Sequence, residues 1–163
     1  MPEKSTLKRA RRDLKKGRSA STAAGEFVRE EMHHIREGKH GARSAKQAIA
    51  IGLSKARRAG VSLKAPGKGT SAATKRAAAR DNKRGKHPHA PSKTRSRAMT
   101  KALRKEPHRA ASHRALAAHA TSAAAKRTHK ARVASARKAV RTKGPAARSA
   151  AARKAARTRA KSA

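Results

Sequence analysis

Cysteine, tryptophan and tyrosine are absent from the sequence, and phenylalanine occurs once. Without cysteine the chain has neither disulfides nor thiolate metal sites, which suits a reducing cytoplasm. Without Trp or Tyr it lacks the rings on which single-strand binders stack bases. No apolar run approaches ~18 residues, so no segment is predicted to span a membrane. The N-terminus has no apolar secretory core, and its Arg/Ser/Ala-rich composition leaves an organellar transit peptide as the less favoured alternative.

Acidic residues are also scarce, because 8 Asp+Glu stand against 46 Lys+Arg, for a formal net charge of +38. A chain with this charge repels itself unless a polyanion neutralises it. Nucleic acid is the abundant polyanion. An anionic membrane surface is the weaker alternative, because the chain has few bulky apolar residues with which to enter it.

Large apolar side chains are few, since 41 of the hydrophobic residues are Ala and only 17 are Val, Ile, Leu, Met or Phe. Nine of those 17 fall within residues 25–63, which leaves room for one small core. Elsewhere alanine favours helix but buries too little surface to offset the entropy of ordering a chain. We therefore predict a basic arm (1–21), a helical hairpin module (22–63) and an Ala/Lys/Arg-rich basic tail (64–163).

The arm is expected to form one helix, with Ser5 as its N-cap and Gly17 as its stop. In the hairpin module the first helix should run from about Thr22 or Gly25 to Glu37. Its apolar face follows i, i+4, i+7 spacing and consists of Val28, Met32 and Ile35.

The second helix of the module is predicted over residues 45–58, with Gly60 as its stop. Ser44 and Gln47 have the spacing of a capping box, in which each side chain bonds a backbone N–H near the other. Its apolar stripe is predicted to be Ala45, Ile49 and Leu53, widened by Ala48 and Ile51. Gly52 permits the close approach of a neighbouring helix, although glycine costs about 1 kcal/mol there.

The tail has low complexity and five prolines between its helix-capable stretches, which cover residues 71–83, 92–105, 108–142 and 146–161. We expect it to be largely disordered in free solution and helical once phosphates neutralise its charge. The predicted fold class is all-α, a small helical hairpin flanked by the arm and this tail.

Clusters of basic residues are the candidate nucleic-acid contacts, because phosphate neutralisation requires charge and no base recognition. Nineteen residues are assigned: Lys8, Arg9, Arg11, Arg12, Lys15, Lys16, Arg57, Arg58, Lys83, Arg84, Lys86, Arg104, Lys105, Lys126, Arg127, Arg137, Lys138, Arg153 and Lys154. The lack of aromatic residues among these charges favours duplex backbones over single strands.

Catalytic and metal-binding patterns are weak. No nucleophile–base constellation stands out, and Gly67-Lys68-Gly69-Thr70 lacks the spacing of a phosphate-binding loop, so we predict no enzyme. The nine histidines include His33, His34 and His40 near acidic residues, but no HExxH motif accompanies them. Structural or solvated roles are therefore expected, with no metal site and no cofactor.

Acidic residues concentrate in the first helix of the module, at Glu30, Glu31 and Glu37. The favoured interpretation is intramolecular, with these carboxylates balancing Arg29, Arg36 and Lys46. The alternative is a docking surface for a basic partner such as the tail of another copy, so self-association through residues 22–63 stays open.

Residues 28–60 contain the run AKQAIAIGLSKAR at 45–57 and the helix before it. They resemble a family of short basic bacterial proteins of unknown function that share a QAIAIGLS-[KE]-A-R signature. The arm and tail resemble the Lys/Ala-rich histone-like proteins of bacteria and the tails of linker histones. The first resemblance implies a bacterial protein with one small helical module, and the second implies DNA condensation.

These observations predict a sequence-nonspecific, histone-like DNA-binding protein of the bacterial nucleoid, in the cytoplasm, with no membrane partner. The alternative is an RNA-binding or ribosome-associated basic protein, since basic tails also bind folded RNA. A third and less favoured interpretation is a protein-interaction module that the tail only localises.

Overall fold

The structure is a computed structural model that describes residues 2–67, 69–88, 90 and 92–162. These residues form seven α-helices and one 3₁₀ turn and contain no strand, so the predicted all-α class is confirmed. The helices are α1 (Lys4–Lys15), α2 (Ala20–Arg36), α3 (Ala45–Arg58), α4 (Ala72–Lys86), α5 (Lys93–Arg104), α6 (His113–Ala125) and α7 (His129–Ser162), and the 3₁₀ turn is His108–Ala111. The chain divides into two compact units, Met1–His119 and Ala120–Ala163.

The predicted helical hairpin is present as α2 and α3, and the close approach predicted at Gly52 is confirmed, but the larger residues of the predicted stripe lie at the sides of the contact. The residues that α3 buries are small, namely Ala45, Ala48, Gly52 and Ala56. A Cβ atom on Gly52 would lie only 2.7 Å from the Cα atom of Val28. The two backbones therefore approach closely through small residues, and the larger Ile49 and Leu53 are only half-buried at the sides.

The core of the first unit consists of two apolar clusters. One surrounds Phe27 on α2 and includes Ala10 of α1, Ala56 of α3 and Val61 beyond it, with Leu53 packed against them. The other surrounds Ile35 and Met32 and includes Ala48, Ala110 and Ala111, with Val28, Ile49 and Leu116 packed against them. Ile49 therefore packs beside the apolar face of α2 that contains Met32 and Ile35, whereas Leu53 packs in the cluster around Phe27.

The prediction that the tail is largely disordered is wrong. The described part of residues 64–162 contains helices α4 to α7 and the 3₁₀ turn. Four predicted helix-capable stretches coincide approximately with these elements. Alanine has the highest helix propensity, and helices formed locally need only small contacts to dock. The expectation of disorder rested on the scarcity of large apolar residues, and close backbone packing supplies contacts that such residues would otherwise make.

Part of the tail docks on the hairpin where glycines let backbones meet. The N–H of Gly41, in the loop between α2 and α3, donates to the Leu103 carbonyl at 2.9 Å, and the N–H of Ala42 donates to Pro107 at 3.1 Å. A Cβ atom on Gly41 would overlap the carbonyl of Glu106. Arg36 of α2 donates its Nε–H to the Ala111 carbonyl at 2.8 Å, across 75 residues of sequence.

Helix α4 docks on α3 in the same manner. A Cβ atom on Gly85 would overlap the carbonyl oxygen of Arg57. Ser54 of α3 donates its hydroxyl hydrogen to Asp81 Oδ2 at 2.5 Å, and the side-chain amide of Asn82 donates to the Leu63 carbonyl at 3.1 Å. Residues of the predicted tail thus belong to the folded core of the first unit.

The helix starts depart from the prediction at three points, although α3 begins at the predicted cap. Helix α3 begins after Ser44, whose hydroxyl accepts from the Gln47 N–H at 3.2 Å. The Gln47 side chain accepts from the Arg43 N–H at 2.8 Å, one residue before the position that a capping box predicts. Helix α1 begins two residues earlier than expected, because its N-cap is Glu3 and not Ser5, and it has no side-chain cap. Helix α2 begins at Ala20 after Ser19, ahead of the predicted start at Thr22 or Gly25.

The second unit is built mainly from α7, which contains a break. Gly144 has φ 68° and ψ 171°, outside the helical region, and Pro145 follows it. This break separates the two stretches that the sequence predicts at 108–142 and 146–161. Among the described helices, none is both long and apolar enough to cross a bilayer.

Candidate nucleic-acid interface

The structure places seventeen of the nineteen predicted contact residues on the exposed surface. They lie on α1, α4, α5 and α7 and at the ends of these helices, as well as at the C-terminal end of α3 and between α6 and α7. The two exceptions, Arg9 and Arg57, are half-buried. Exposure leaves the guanidinium and ammonium groups of the seventeen accessible to a phosphate.

For three of the predicted residues, contacts or burial within the first unit limit their availability to a phosphate. The Nε atom of Arg9 lies 2.7 Å from Glu26 Oε2, where it joins α1 to α2. Arg58 points its Nε atom towards Asp81 of α4 at 3.8 Å. The Nε atom of Arg57 is buried without a hydrogen-bond partner among the described residues. Arg9 and Arg57 therefore serve the contacts between helices, whereas Arg58 stays exposed while it faces Asp81.

Helix α5 has a basic face that the sequence prediction missed, because that prediction considered only basic residues adjacent in sequence. Lys93, Arg97, Lys101 and Arg104 recur every three or four residues and share one side of the helix. All four are exposed, and over eleven residues they extend about 16 Å along the axis. Ser96 and Thr100 lie beside them and add hydroxyl groups to the same shallow depression. A helical period in the basic residues is the signal that would have identified this face.

The second unit has charge of only one sign. Residues 120–163 contain fourteen Lys and Arg and no Asp or Glu. Every one of these basic residues is exposed. Arg127, one of the predicted contacts, also donates to the Ala131 carbonyl at 3.0 Å and to the Ser135 hydroxyl. No carboxylate side chain within this unit can neutralise it, so its field is available to a polyanion.

Two of the three acidic residues noted at the end of α2, Glu30 and Glu31, turn inward, whereas Glu37 is exposed and pairs with Lys39 at 3.0 Å. Glu30 and Glu31 are 4% and 0% exposed. Lys55 of α3 lies 2.5 Å from Glu31 Oε2 and 3.8 Å from Glu30 Oε1. The intramolecular balance is thus made by Lys55 for Glu30 and Glu31 and by Lys39 for Glu37, and not by Arg29, Arg36 or Lys46. The two buried carboxylates are inaccessible to a basic partner.

Two histidines complete this cluster on its other side. His40 Nε2 lies 3.1 Å from Glu31 Oε1, and His34 Nε2 lies 2.9 Å from Glu3 Oε1. Glu3 also places its backbone N–H 3.2 Å from Glu30 Oε2. The start of α1, the end of α2 and the loop after it therefore meet at one group of carboxylates and imidazoles.

Two carboxylates where α1 meets α2, Glu3 and Glu26, have pKa values below their usual range. The hydrogen bond with His34 lowers the pKa of Glu3, burial opposes the shift, and the charges of His34 and Lys39 add to it. Burial raises the pKa of Glu26. The hydrogen bonds from Arg9 and Arg29, together with the charges of these residues, outweigh that effect, so the pKa is below its ordinary value. These shifts keep the carboxylates ionised in the folded chain.

Comparison of the chain with protein-family models, with curated proteins and with solved structures gives no match. The resemblances stated from residues 28–60 and from the arm and tail therefore stay predictions. Function has to be argued from the charge and geometry of this chain.

Proposed function

We propose that this protein binds duplex DNA without sequence preference, through the phosphate backbone, as a histone-like protein of the bacterial nucleoid. The observation that carries the proposal is the charge of the second unit, which contains fourteen exposed basic residues and no Asp or Glu. Neutralising phosphates with such residues releases condensed counterions, which supplies affinity with no base recognition. The basic face of α5 offers a second surface of the same chemistry.

The proposal of duplex DNA as the ligand is supported by the side chains that the helices expose. Sequence-specific RNA recognition commonly stacks unpaired bases on aromatic rings or guanidinium planes. This chain has a single aromatic residue of the Phe/Trp/Tyr group, and that residue, Phe27, is buried in the core. The lack of an exposed Phe, Trp or Tyr supports duplex backbone contacts. The exposed arginines can also stack on unpaired bases, so folded RNA is the ligand that a competition experiment has to exclude.

The test is the salt dependence of binding to random-sequence duplexes. If about ten phosphates are neutralised, the plot of log K against log[salt] should have a slope near −9 for the full-length chain. A shallow slope, or a strong preference for one site among random duplexes, would contradict nonspecific backbone binding. Tighter binding to structured RNA than to duplex DNA at equal salt would replace DNA by RNA as the ligand.

A matched pair of variants distinguishes binding by the second unit from a general effect of the net charge of the chain. Replacing Arg153 and Lys154 by Gln removes two charges from the second unit and should make the slope about two units less steep. Replacing Arg18 and Lys39 by Gln removes the same charge, but Asp13 and Glu37 already pair with these residues at 2.9 and 3.0 Å. We expect the second variant to retain most of its affinity. Equal losses would show that total charge, and not the second unit, determines binding.

A further inference from the structure

We propose that Glu31, His34 and His40 bind one divalent transition-metal ion with the ligand preferences of Zn²⁺. Each residue offers one ligand atom, and the three atoms all lie within 4.8 Å of one another. Glu31 and His34 are three residues apart on α2, so they share a face of the helix. His40 comes from the loop between α2 and α3. Two imidazole nitrogens and one carboxylate oxygen form a ligand set that zinc accepts.

The hydrogen bond of His40 shows why a cation belongs between His40 and Glu31. His40 Nδ1 lies 3.0 Å from the Gly41 carbonyl oxygen, which can only accept, so Nδ1 donates. In a neutral ring Nε2 then carries a lone pair, and it faces Glu31 Oε1 at 3.1 Å. Two acceptors at this distance repel each other unless a proton or a metal ion lies between them. Tetrahedral ligands at zinc bond lengths are separated by roughly 3.3 Å.

His34 is oriented in the way that metal-binding histidines usually are. Its Nε2 atom lies 2.9 Å from Glu3 Oε1, so the carboxylate accepts from Nε2–H and leaves Nδ1 as the nitrogen with a lone pair. A carboxylate behind the imidazole holds the ring and raises its basicity as a ligand. The rings of His34 and His40 are nearly perpendicular, with centroids 6.2 Å apart.

Charge balance favours a dication at this position. Glu30 and Glu31 are both buried, and Lys55 is the cation beside them. The oxygens Glu30 Oε1, Glu31 Oε1 and Glu31 Oε2 are buried without a hydrogen bond of acceptable geometry in the described part of the chain. Buried carboxylates are expected to be paired or to coordinate metals. Lys55 approaches Oε2 of Glu31, which leaves Oε1 for the metal.

A metal ion here would hold the loop on which the tail docks. His40 directly precedes Gly41 and Ala42, whose N–H groups bond the Leu103 and Pro107 carbonyls. Coordination of His40 to α2 would restrict this loop in its docked conformation. Metal binding should therefore raise the thermal stability of the segment between α5 and the 3₁₀ turn as well as that of α2.

The experiment is calorimetric titration of Zn²⁺ into full-length chain freed of metal with a chelator, at neutral pH. We expect one site per chain in the wild type. His40→Gln should weaken that site at least tenfold, because it removes a ligand. The matched control is His33→Gln, which changes the adjacent, exposed residue on the same helix and should leave the site unchanged. Equal weakening by both variants, or no one-to-one site, would show scattered binding to surface histidines and overturn the proposal.

A second measurement uses the wild type alone, so it does not depend on whether a variant folds. Histidine ring signals are followed by nuclear magnetic resonance while Zn²⁺ is added at constant pH. The signals of His34 and His40 should shift together and saturate at one equivalent. If these rings respond to pH but not to Zn²⁺, a proton on His40 occupies the gap, and the metal site does not exist.

Discussion

The contact between α2 and α3 can be tested by substituting the same residue type at two positions. Replacing a helical Gly by Ala stabilises a helix by about 1 kcal/mol when the new methyl group meets nothing. Gly25 on α2 is such a position, because a Cβ atom there would have no neighbour within 4 Å. At Gly52 on α3 the Cβ atom would lie 2.7 Å from the Cα and 3.0 Å from the N of Val28. Backbone atoms cannot rotate away, so the helices would have to separate.

The expected magnitude follows from the difference between the two variants. Both gain the same helix propensity, whereas Gly52→Ala also overpacks the core, which typically costs about 1–3 kcal/mol. We therefore expect Gly25→Ala to raise the free energy of unfolding and Gly52→Ala to fall about 1–3 kcal/mol below it. Urea denaturation of the full-length chain gives the free energies, and hydrogen exchange of α3 amides localises the change. If Gly52→Ala is as stable as Gly25→Ala, the close packing of α2 on α3 described above is refuted.

Two further perturbations test the ion pairs of the first unit. Lys55→Met leaves Glu30 and Glu31 buried beside an apolar side chain and should lower the free energy of unfolding, measured by urea denaturation, by about 3–5 kcal/mol. The control Lys46→Met, at an exposed position of the same helix, should stay within about 0.5 kcal/mol of the wild type. Equal effects would mean that the buried cluster is not charged. Because the folded-state pKa of Glu26 is below its ordinary value, its ion pairs stabilise the fold above the unfolded-state pKa and lose that contribution as the pH falls through the folded-state pKa. The Glu26→Gln variant should therefore lose less stability on acidification than the wild type, and parallel stability–pH curves for the two proteins would contradict the assignment.

The burial of Glu30 and Glu31 shows how tertiary structure changes the meaning of a charge pattern. In the sequence they stand beside Arg29 and Arg36, which are natural partners for exposed carboxylates. In the structure Arg29 pairs with Glu26, and Arg36 bonds a carbonyl of the 3₁₀ turn. Lys55, distant in sequence, pairs with the buried carboxylates. Partner choice depended on which helix faces meet, and no local pattern contains that information.

Local signals determined the elements that the sequence alone placed correctly. Ser44 and Gly60 bracket α3, which spans Ala45–Arg58 as predicted, because capping and chain reversal depend on a few adjacent residues. Gly144 and Pro145 likewise interrupt the last helical stretch at the predicted place. The overall excess of positive charge follows from the composition of the sequence alone.

Only the tertiary structure decided which residues form the core and where the tail goes. Gly41, Gly85 and the alanines of the 3₁₀ turn have no large side chain to bury, so an apolar pattern cannot identify them as contacts. Their role arises because the backbones of α3, α4 and the segment after α5 approach closely, which the structure shows directly. The predicted disorder failed for this reason, since it counted large apolar residues and could not count contacts made by small ones. The cluster of Glu31, His34 and His40 depends on the same fold, because the turn after α2 brings His40 back to the helix that holds its partners.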